Sequence, residues 1–191
     1  MRASFFALWL LLLSLVSGAK AGPVRLAGGG KPLLPIVVAE KASPAIRAAA
    51  AELARYLGLI SGVEFVIETG DGSRGIVLGT GGDFGKLPFE VAFDPGVFAR
   101  EDYLLRSLPE GVYLLGASDA AVSHAVWDLL HRLGYRQFFP GETWEVIPET
   151  REPVIEVETR QSPSFHARRI WYNWGFWGYN EEPYRQWCLR N

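Results

Sequence analysis

The amino-acid sequence predicts an α/β fold, a two-layer sandwich in which a mixed β-sheet carries two main helices. Three observations predict it. Short apolar runs with β-branched residues and two segments of helical period follow one another in the order strand, helix, strands, helix, strand. Each helical segment opens on a serine cap, Ser43-Pro44 and Ser118-Asp119, and each stops at a glycine, Gly62 and Gly134. Setting aside an N-terminal leader leaves roughly 170 residues, which suits one domain burying about 70% of its unfolded-state surface.

The first strand is the apolar run Leu34-Pro35-Ile36-Val37-Val38. In the helix that follows, Ile46, Ala50, Leu53, Leu57 and Ile60 recur at helical spacing and mark the buried face. "VEFVIE" (63–68) and "GIVLG" (75–79) read as two more strands, separated by a turn around Gly70-Asp71-Gly72. The glycine- and proline-rich stretch 79–96 is long for a connection, which points to an elaborated surface or a site-facing flap. "DYLLRS" and "VYLLGA", joined by Leu108-Pro109-Glu110-Gly111, predict a hairpin. The second helix turns Val122, Val126, Leu129, Leu130 and Leu133 inward. His124 and His131 lie two turns apart on it and read as solvated helix histidines, not a metal pair.

The leader sets the compartment. Met1-Arg2 precedes an apolar run at 5–16, and Ala19-x-Ala21 supplies small side chains for signal peptidase, so residues 1–21 are expected to be a secretory signal peptide. The run of roughly 12 residues is short of the about 20 needed to cross a membrane, so no membrane association is expected after cleavage. Removing Arg2 and Lys20 from the 19 basic residues leaves 17 against 21 acidic, a formal charge of −4, which argues against nucleic-acid binding. Cys188 is the single cysteine, so no intramolecular disulfide forms, and with three histidines no zinc pattern arises.

"GIVLGTGGDFG" imitates a phosphate-cradling loop, with glycines after a strand. Gly79, Gly81 and Gly85 miss the G-x-G-x-x-G spacing, and "KLPFEVAFDPG" does not open the helix that would hold a pyrophosphate. No cofactor is expected.

The order of the opening strand with Ser43-Pro44, then Ile76-Val77-Leu78-Gly79, then Tyr103 ahead of Val112-Tyr113-Leu114-Leu115-Gly116, then Leu133-Gly134-Tyr135-Arg136 with Phe139-Pro140-Gly141, is itself informative. It resembles the N-terminal accessory domain of bacterial α-glucuronidases and of a related secreted bacterial family, and more distantly the second domain of β-hexosaminidases. Two departures stand out: Ser118-Asp119-Ala120-Ala121 where such families use a glycine-containing turn, and Gln137 where an aromatic usually follows the arginine. The resemblance implies an accessory domain over 22–160. It also implies a linker at Ser162-Pro163-Ser164-Phe165, within 161–191, and then the first strand of an incomplete TIM barrel at Arg168-Arg169-Ile170-Trp171-Tyr172-Asn173.

That implication accounts for "RRIWYNWGFWGYNEEPYRQW" (168–187), which holds eight aromatic residues, three arginines and four of the seven tryptophans. On a barrel strand, Arg169, Trp171 and Asn173 share one face. They are the candidate substrate-binding residues: a guanidinium to clamp a uronate carboxylate, an indole to cover a sugar face, an amide for hydroxyls. The competing reading gives Trp171 and Arg169 structural roles. Glycoside hydrolysis needs two carboxylates across the scissile bond, and the conspicuous pair Glu181-Glu182, just before Pro183, reads as a solvated loop, so no catalytic residue is assigned. The expected function is therefore the non-catalytic N-terminal portion of a secreted or periplasmic glycoside hydrolase. Its partner is a carbohydrate, reached through the missing barrel. Two other readings stay open: a carbohydrate-binding module with Trp171, Trp174 and Trp177 as a stacking platform, and a ligand-free structural domain. If the chain is the opening portion of such an enzyme, residues 165–191 should lack fixed packing unless the tail finds a substitute site on the domain.

Overall fold

The computed structural model describes residues 20–165 and 181–191. Its centre is a six-stranded mixed sheet: β1 (Ile36–Val38), β2 (Ile67–Thr69), β3 (Gly75–Thr80), β4 (Tyr103–Leu108), β5 (Gly111–Gly116) and β6 (Glu158–Gln161). The spatial order is β6-β4-β5-β3-β1-β2. Strands β2, β1, β3 and β5 run parallel, β4 is antiparallel to β5, and β6 is antiparallel to β4. Helix α1 (Pro44–Ser61) follows β1 and α2 (Asp119–Arg132) follows β5; both pack on the same face. The two-layer α/β sandwich expected from the sequence is the architecture found.

Both helices begin where the sequence places them, for the capping reason. Ser43 is extended and its hydroxyl accepts from Ile46 N–H at 3.1 Å, satisfying one orphan amide of the first turn. The same hydroxyl donates to Asp119 Oδ2 at 2.7 Å, so one side chain ties the starts of both helices together. Helix α1 ends on Gly62, whose φ of 76° is left-handed and whose N–H returns to the Gly58 carbonyl. The predicted face of α1 is buried, joined by Tyr56, which the apolar pattern omitted although 53, 56 and 60 hold helical spacing. On α2, Val122, Val126, Leu129 and Leu130 are buried as expected, whereas Leu133 is only partly covered.

Alternation along the strands divides their side chains between two faces. Ile36, Val38, Ile76, Leu78, Leu105, Val112 and Leu114 meet the helices. Val37, Val77, Leu108, Tyr113 and Leu115 face the other way and are covered by Phe84, Leu87, Phe89, Val91 and Phe93 of the long loop. That loop holds neither helix nor strand from 81 to 102, and it acts as a cover for the sheet. Arg106 lies over the Phe89 ring at 4.9 Å and Arg160 over Phe93 at 4.7 Å, pinning two of its aromatics to β4 and β6.

Two predicted features are corrected. The strand read at 63–68 is confined to Ile67–Thr69, an exposed edge strand, and Val63–Val66 lead into it. The turn at Gly70-Asp71-Gly72 is a strap, because β2 and β3 pair with opposite edges of β1 in the parallel sense. The strap must recross β1 over Val37, and glycine makes the clearance: a Cβ on Gly70 or Gly75 would lie 2.8 or 2.6 Å from a Val37 methyl. Asp71 braces it, accepting from Ser73 N–H and Oγ and pairing with Lys86 at 3.0 Å. The Ser73 and Lys86 contacts hold the Asp71 carboxyl well below the usual carboxylate range.

Candidate functional site

The described part of the tail is ordered into a third helix, α3 (Glu181–Arg190). This overturns one expectation and answers another. Glu181 and Glu182 open a helix where a loop was expected; Pro183 is admitted because the first turn needs no amide donor. Glu182 holds Arg185 at 2.8 Å and Gln186 at 2.6 Å, so its exposed carboxylate serves the helix's own first turns. Nor do residues 181–191 lack packing: they find the substitute site allowed for, built from α1, α2 and the segment after α2.

The floor of that site is three rings. Tyr56 of α1 meets Trp127 of α2 edge to face at 5.2 Å and Tyr135 at 4.9 Å, and Trp127 and Tyr135 are 5.4 Å apart. Gly134 delivers Tyr135: with φ of 104° it turns the chain out of α2, so that Tyr135 N–H bonds to the Leu130 carbonyl and its ring comes back beneath the helix. Arg136 then donates to the His131 carbonyl at 2.6 Å, closing the helix end. The Leu133-Gly134-Tyr135-Arg136 motif is therefore the piece of sequence that completes the site.

Acidic and amide groups form the walls. Residues 136–137 pair antiparallel with 145–146, which brings Glu145 beside Tyr56, whose hydroxyl donates to the carboxylate at 3.1 and 3.2 Å. Into this box enters Arg190. Its guanidinium lies over Trp127 at 5.2 Å and Tyr56 at 5.5 Å, bonds Glu145 Oε1 and, at 3.3 Å, Gln137 Oε1, and has Glu52 at 3.6 Å on its other edge. The Arg190 side chain is 11% exposed and that of Glu145 8%, so this is a nearly desolvated ion pair, flanked by rings and an amide. Trp187, one turn earlier, donates its indole N–H to the Gln137 carbonyl at 3.1 Å. Gln137, a departure from the resembling families, thus supplies two of the acceptors that hold α3. Burial raises the pKa of Tyr56 and of Tyr135, keeping both phenols protonated as donors.

Beside the box, α2, β4, the end of β6 and α3 enclose a half-open cavity of about 350 Å³. Its polar groups are already engaged with one another: Tyr103 donates to Asp128 at 3.1 Å, Asp128 pairs with Arg132 at 2.9 Å, and His124 lies 3.8 Å from Glu101. His131 is not the solvated residue expected; it is half-buried and stacked on Tyr135, its planes 8° apart. Burial lowers its pKa first, and the charge of Arg136 second. Among the described residues, no three histidine, cysteine, aspartate or glutamate side chains are grouped to hold a metal ion.

The sequence-predicted substrate residues Arg169, Trp171 and Asn173 lie outside the described residues, as do the expected barrel strand and Trp174 and Trp177. Gly79, within β3, and Gly72, ahead of it, serve the fold: a Cβ on Gly79 would lie 2.5 Å from the Phe84 ring, and one on Gly72 2.8 Å from it, so they admit that ring to the covering loop.

No sequence-family profile and no curated protein matches the chain. The structure is similar to that of a family 115 4-O-methyl-α-glucuronidase with specificity for decorated arabinogalactans, at a TM-score of 0.61 and 17% identity over 88% of this chain and 24% of that one. Weaker likenesses are to two β-N-acetylhexosaminidases. That of Streptomyces coelicolor A3(2) has a TM-score of 0.42 and 24% identity over 72% of this chain, and that of Streptomyces plicatus has 0.45 and 21% over 76%, each over 24% of the other chain. The chain thus spans about a quarter of the length of these enzymes, and its fold is that of a domain found in a glycoside hydrolase.

Proposed function

We propose that this chain is the N-terminal, non-catalytic portion of a secreted α-glucuronidase-like glycoside hydrolase that takes part in polysaccharide breakdown. The observation that carries the reading is the fold likeness to the family 115 α-glucuronidase, which takes in 88% of this chain and only 24% of that enzyme. The chemistry of the described residues is consistent with it. The carboxylates of the box and the cavity are paired with arginine, tyrosine or histidine and are not held across an open cleft. In this reading residues 1–21 are a removable leader. In support, Gly22 is tied into the domain: its N–H bonds to the Ser107 carbonyl while its own carbonyl accepts from the Ser107 hydroxyl at 2.7 Å. Arg169, Trp171 and Asn173 are the proposed substrate contacts, acting once a barrel is complete.

The test is to assay the chain as it stands, and the same chain extended by the reading frame that follows it, on aryl glucuronides, aryl N-acetylhexosaminides and glucuronate-decorated polysaccharide. The expected outcome is no turnover by the chain alone and hydrolysis by the extended protein, with Arg169→Ala lowering kcat/KM of the latter at least about tenfold, as loss of a bidentate carboxylate clamp would. Turnover by the 191-residue chain, or saturable glycan binding by it that Trp171→Ala abolishes, would replace this reading with a self-sufficient enzyme or a binding module. Mass spectrometry of the exported protein should find its first residue near Gly22.

A further inference from the structure

We infer that the box formed by Tyr56, Trp127, Gln137, Glu145 and Glu52 is a guanidinium-specific latch: it holds α3 through Arg190, closing or opening without disturbing the domain core. This inference stands whether or not the chain is part of a glycoside hydrolase, because it rests only on contacts within the described residues.

Selectivity begins with shape. A guanidinium is a flat cation with two donor edges and two faces, whereas an ammonium is a point charge on a flexible stem. The box offers partners to both terminal nitrogens of the former and rings to one side of it. Glu145 and the Gln137 amide oxygen meet one terminal nitrogen, Glu52 approaches the other, and the Trp127 and Tyr56 rings, whose centroids are 5.2 Å apart, lie together on one side of it. Lysine at 190 brings a single nitrogen, which can meet Glu145 but does not span from Glu145 and Gln137 to Glu52. Selectivity for arginine therefore follows from the number of partners as well as from the charge.

Location supplies the second half. The groups that make the box are held by the domain without help from α3: Tyr56 by its own bond to Glu145, Tyr135 by its burial beneath α2, Trp127 by the ring cluster. Helix α3 adds Arg190, the Trp187 indole bond and few other contacts. When the latch opens, Glu145 is not stranded as a buried charge, because departure of the helix lets water reach it; opening is thus a local event, unlike removal of one partner from an ion pair deep in a core. The consequence is that α3 is held on the helical layer chiefly by one side chain, with the Trp187 indole bond beside it.

The experiment is native-state hydrogen exchange on the full chain, following the amides of α3 and of β5. Arg190→Lys should cut α3 protection about tenfold or more, the equivalent of losing one charge-assisted hydrogen bond, and leave β5 unchanged. Glu145→Gln should act in the same direction. Arg190→Ala should lose α3 protection at least as far as Arg190→Lys does. Two results would each overturn the latch: α3 protection in Arg190→Lys within about twofold of the parent, or loss of protection in β5 to the same degree as in α3. The last would show the cluster to be part of the core.

Discussion

Leu114 and Leu115 are neighbours in β5, both wholly buried, yet they lie in different kinds of interior. Leu114 faces α1 and α2, whose backbones satisfy their own hydrogen bonds and present side chains at fixed spacing. Leu115 faces the irregular loop, which offers Phe84, Phe89 and Phe93 and is fastened at scattered points: Asp83 to Thr80 N–H at 2.6 Å, Lys86 N–H to the Asp71 carbonyl at 3.1 Å, Arg106 and Arg160 over two rings. One sheet is thus sealed by regular structure on one side and by aromatic plugs on the other. Burial alone does not distinguish the faces. What differs is how stiff the cover is, and stiffness decides whether a vacancy beneath it collapses.

The largest effect is expected where the two faces share a seam. Gly75 and Gly111 oppose each other across β3 and β5, and a Cβ on Gly111 would lie 2.0 Å from the Gly75 carbonyl oxygen. Gly111→Ala should therefore part the central strands and remove more than about 4 kcal/mol, read as loss of a cooperative thermal transition in circular dichroism. Retention of the parent Tm would mean that the seam has slack and that the faces are less rigidly joined.

Next comes the direct comparison. Leu114→Ala should cost about 4 kcal/mol and Leu115→Ala about 2.5 kcal/mol in urea unfolding, because the loop can settle into the space and the helices cannot. Equal costs, or the reverse order, would break the distinction drawn between the covers.

Smaller effects sharpen it. Ser43→Ala removes the cap of α1 and the link to Asp119 on the helical side, for about 1.5 kcal/mol. Tyr113→Phe removes the bond from its hydroxyl to the Ser73 carbonyl on the loop side, for about 1 kcal/mol. Exchange should show the first variant loosening α1 and the second loosening the strap over β1, each leaving the opposite face as it was.

The smallest effects are with pH, and they too separate the faces. His131 on the helical side has a folded pKa below its ordinary 6.5, so the unfolded chain binds the proton more readily; stability falls as pH drops below about 6.5 and levels off beneath the lowered value. Tyr113 on the loop side is pushed up to about 12, by burial and then by the charge of Glu110. The unfolded chain therefore ionises first, and stability is lost as pH rises from about 10 towards 12. His131→Gln should flatten the acid limb, and Tyr113→Phe should reduce the alkaline limb, in urea midpoints taken across pH.

Much of this fold was legible because its signals are local. A serine before an apolar helical pattern satisfies amides within three residues, and Gly62 reverses the chain at its own position, so Ser43, Ser118 and Gly62 bounded the helices correctly. The 103–116 hairpin was legible for the same reason, two β-rich runs being separated by a short turn. The strap at 70–75 looked like an ordinary turn because the strand it crosses, β1, lies more than 30 residues earlier in the chain. Likewise the 79–96 stretch advertised its length but not its office, since aromatic residues in a loop acquire a direction only when a sheet face stands opposite them.

The candidate site divides along the same line. Apolar period, caps and glycines determined that two helices would lie on a sheet, and that Trp127 would fall on α2 and Tyr135 just after it, because these are properties of neighbouring residues. That Tyr56, Trp127, Gln137, Glu145 and Glu52 converge on Arg190 was decided by tertiary structure alone, since those residues are drawn from points 45 to 138 positions away from it in the chain. The physical reason is that a buried guanidinium needs acceptors at both terminal nitrogens and a cover of rings beside it, and these come from separate elements. No stretch of polypeptide short enough to read as a motif can surround it that way.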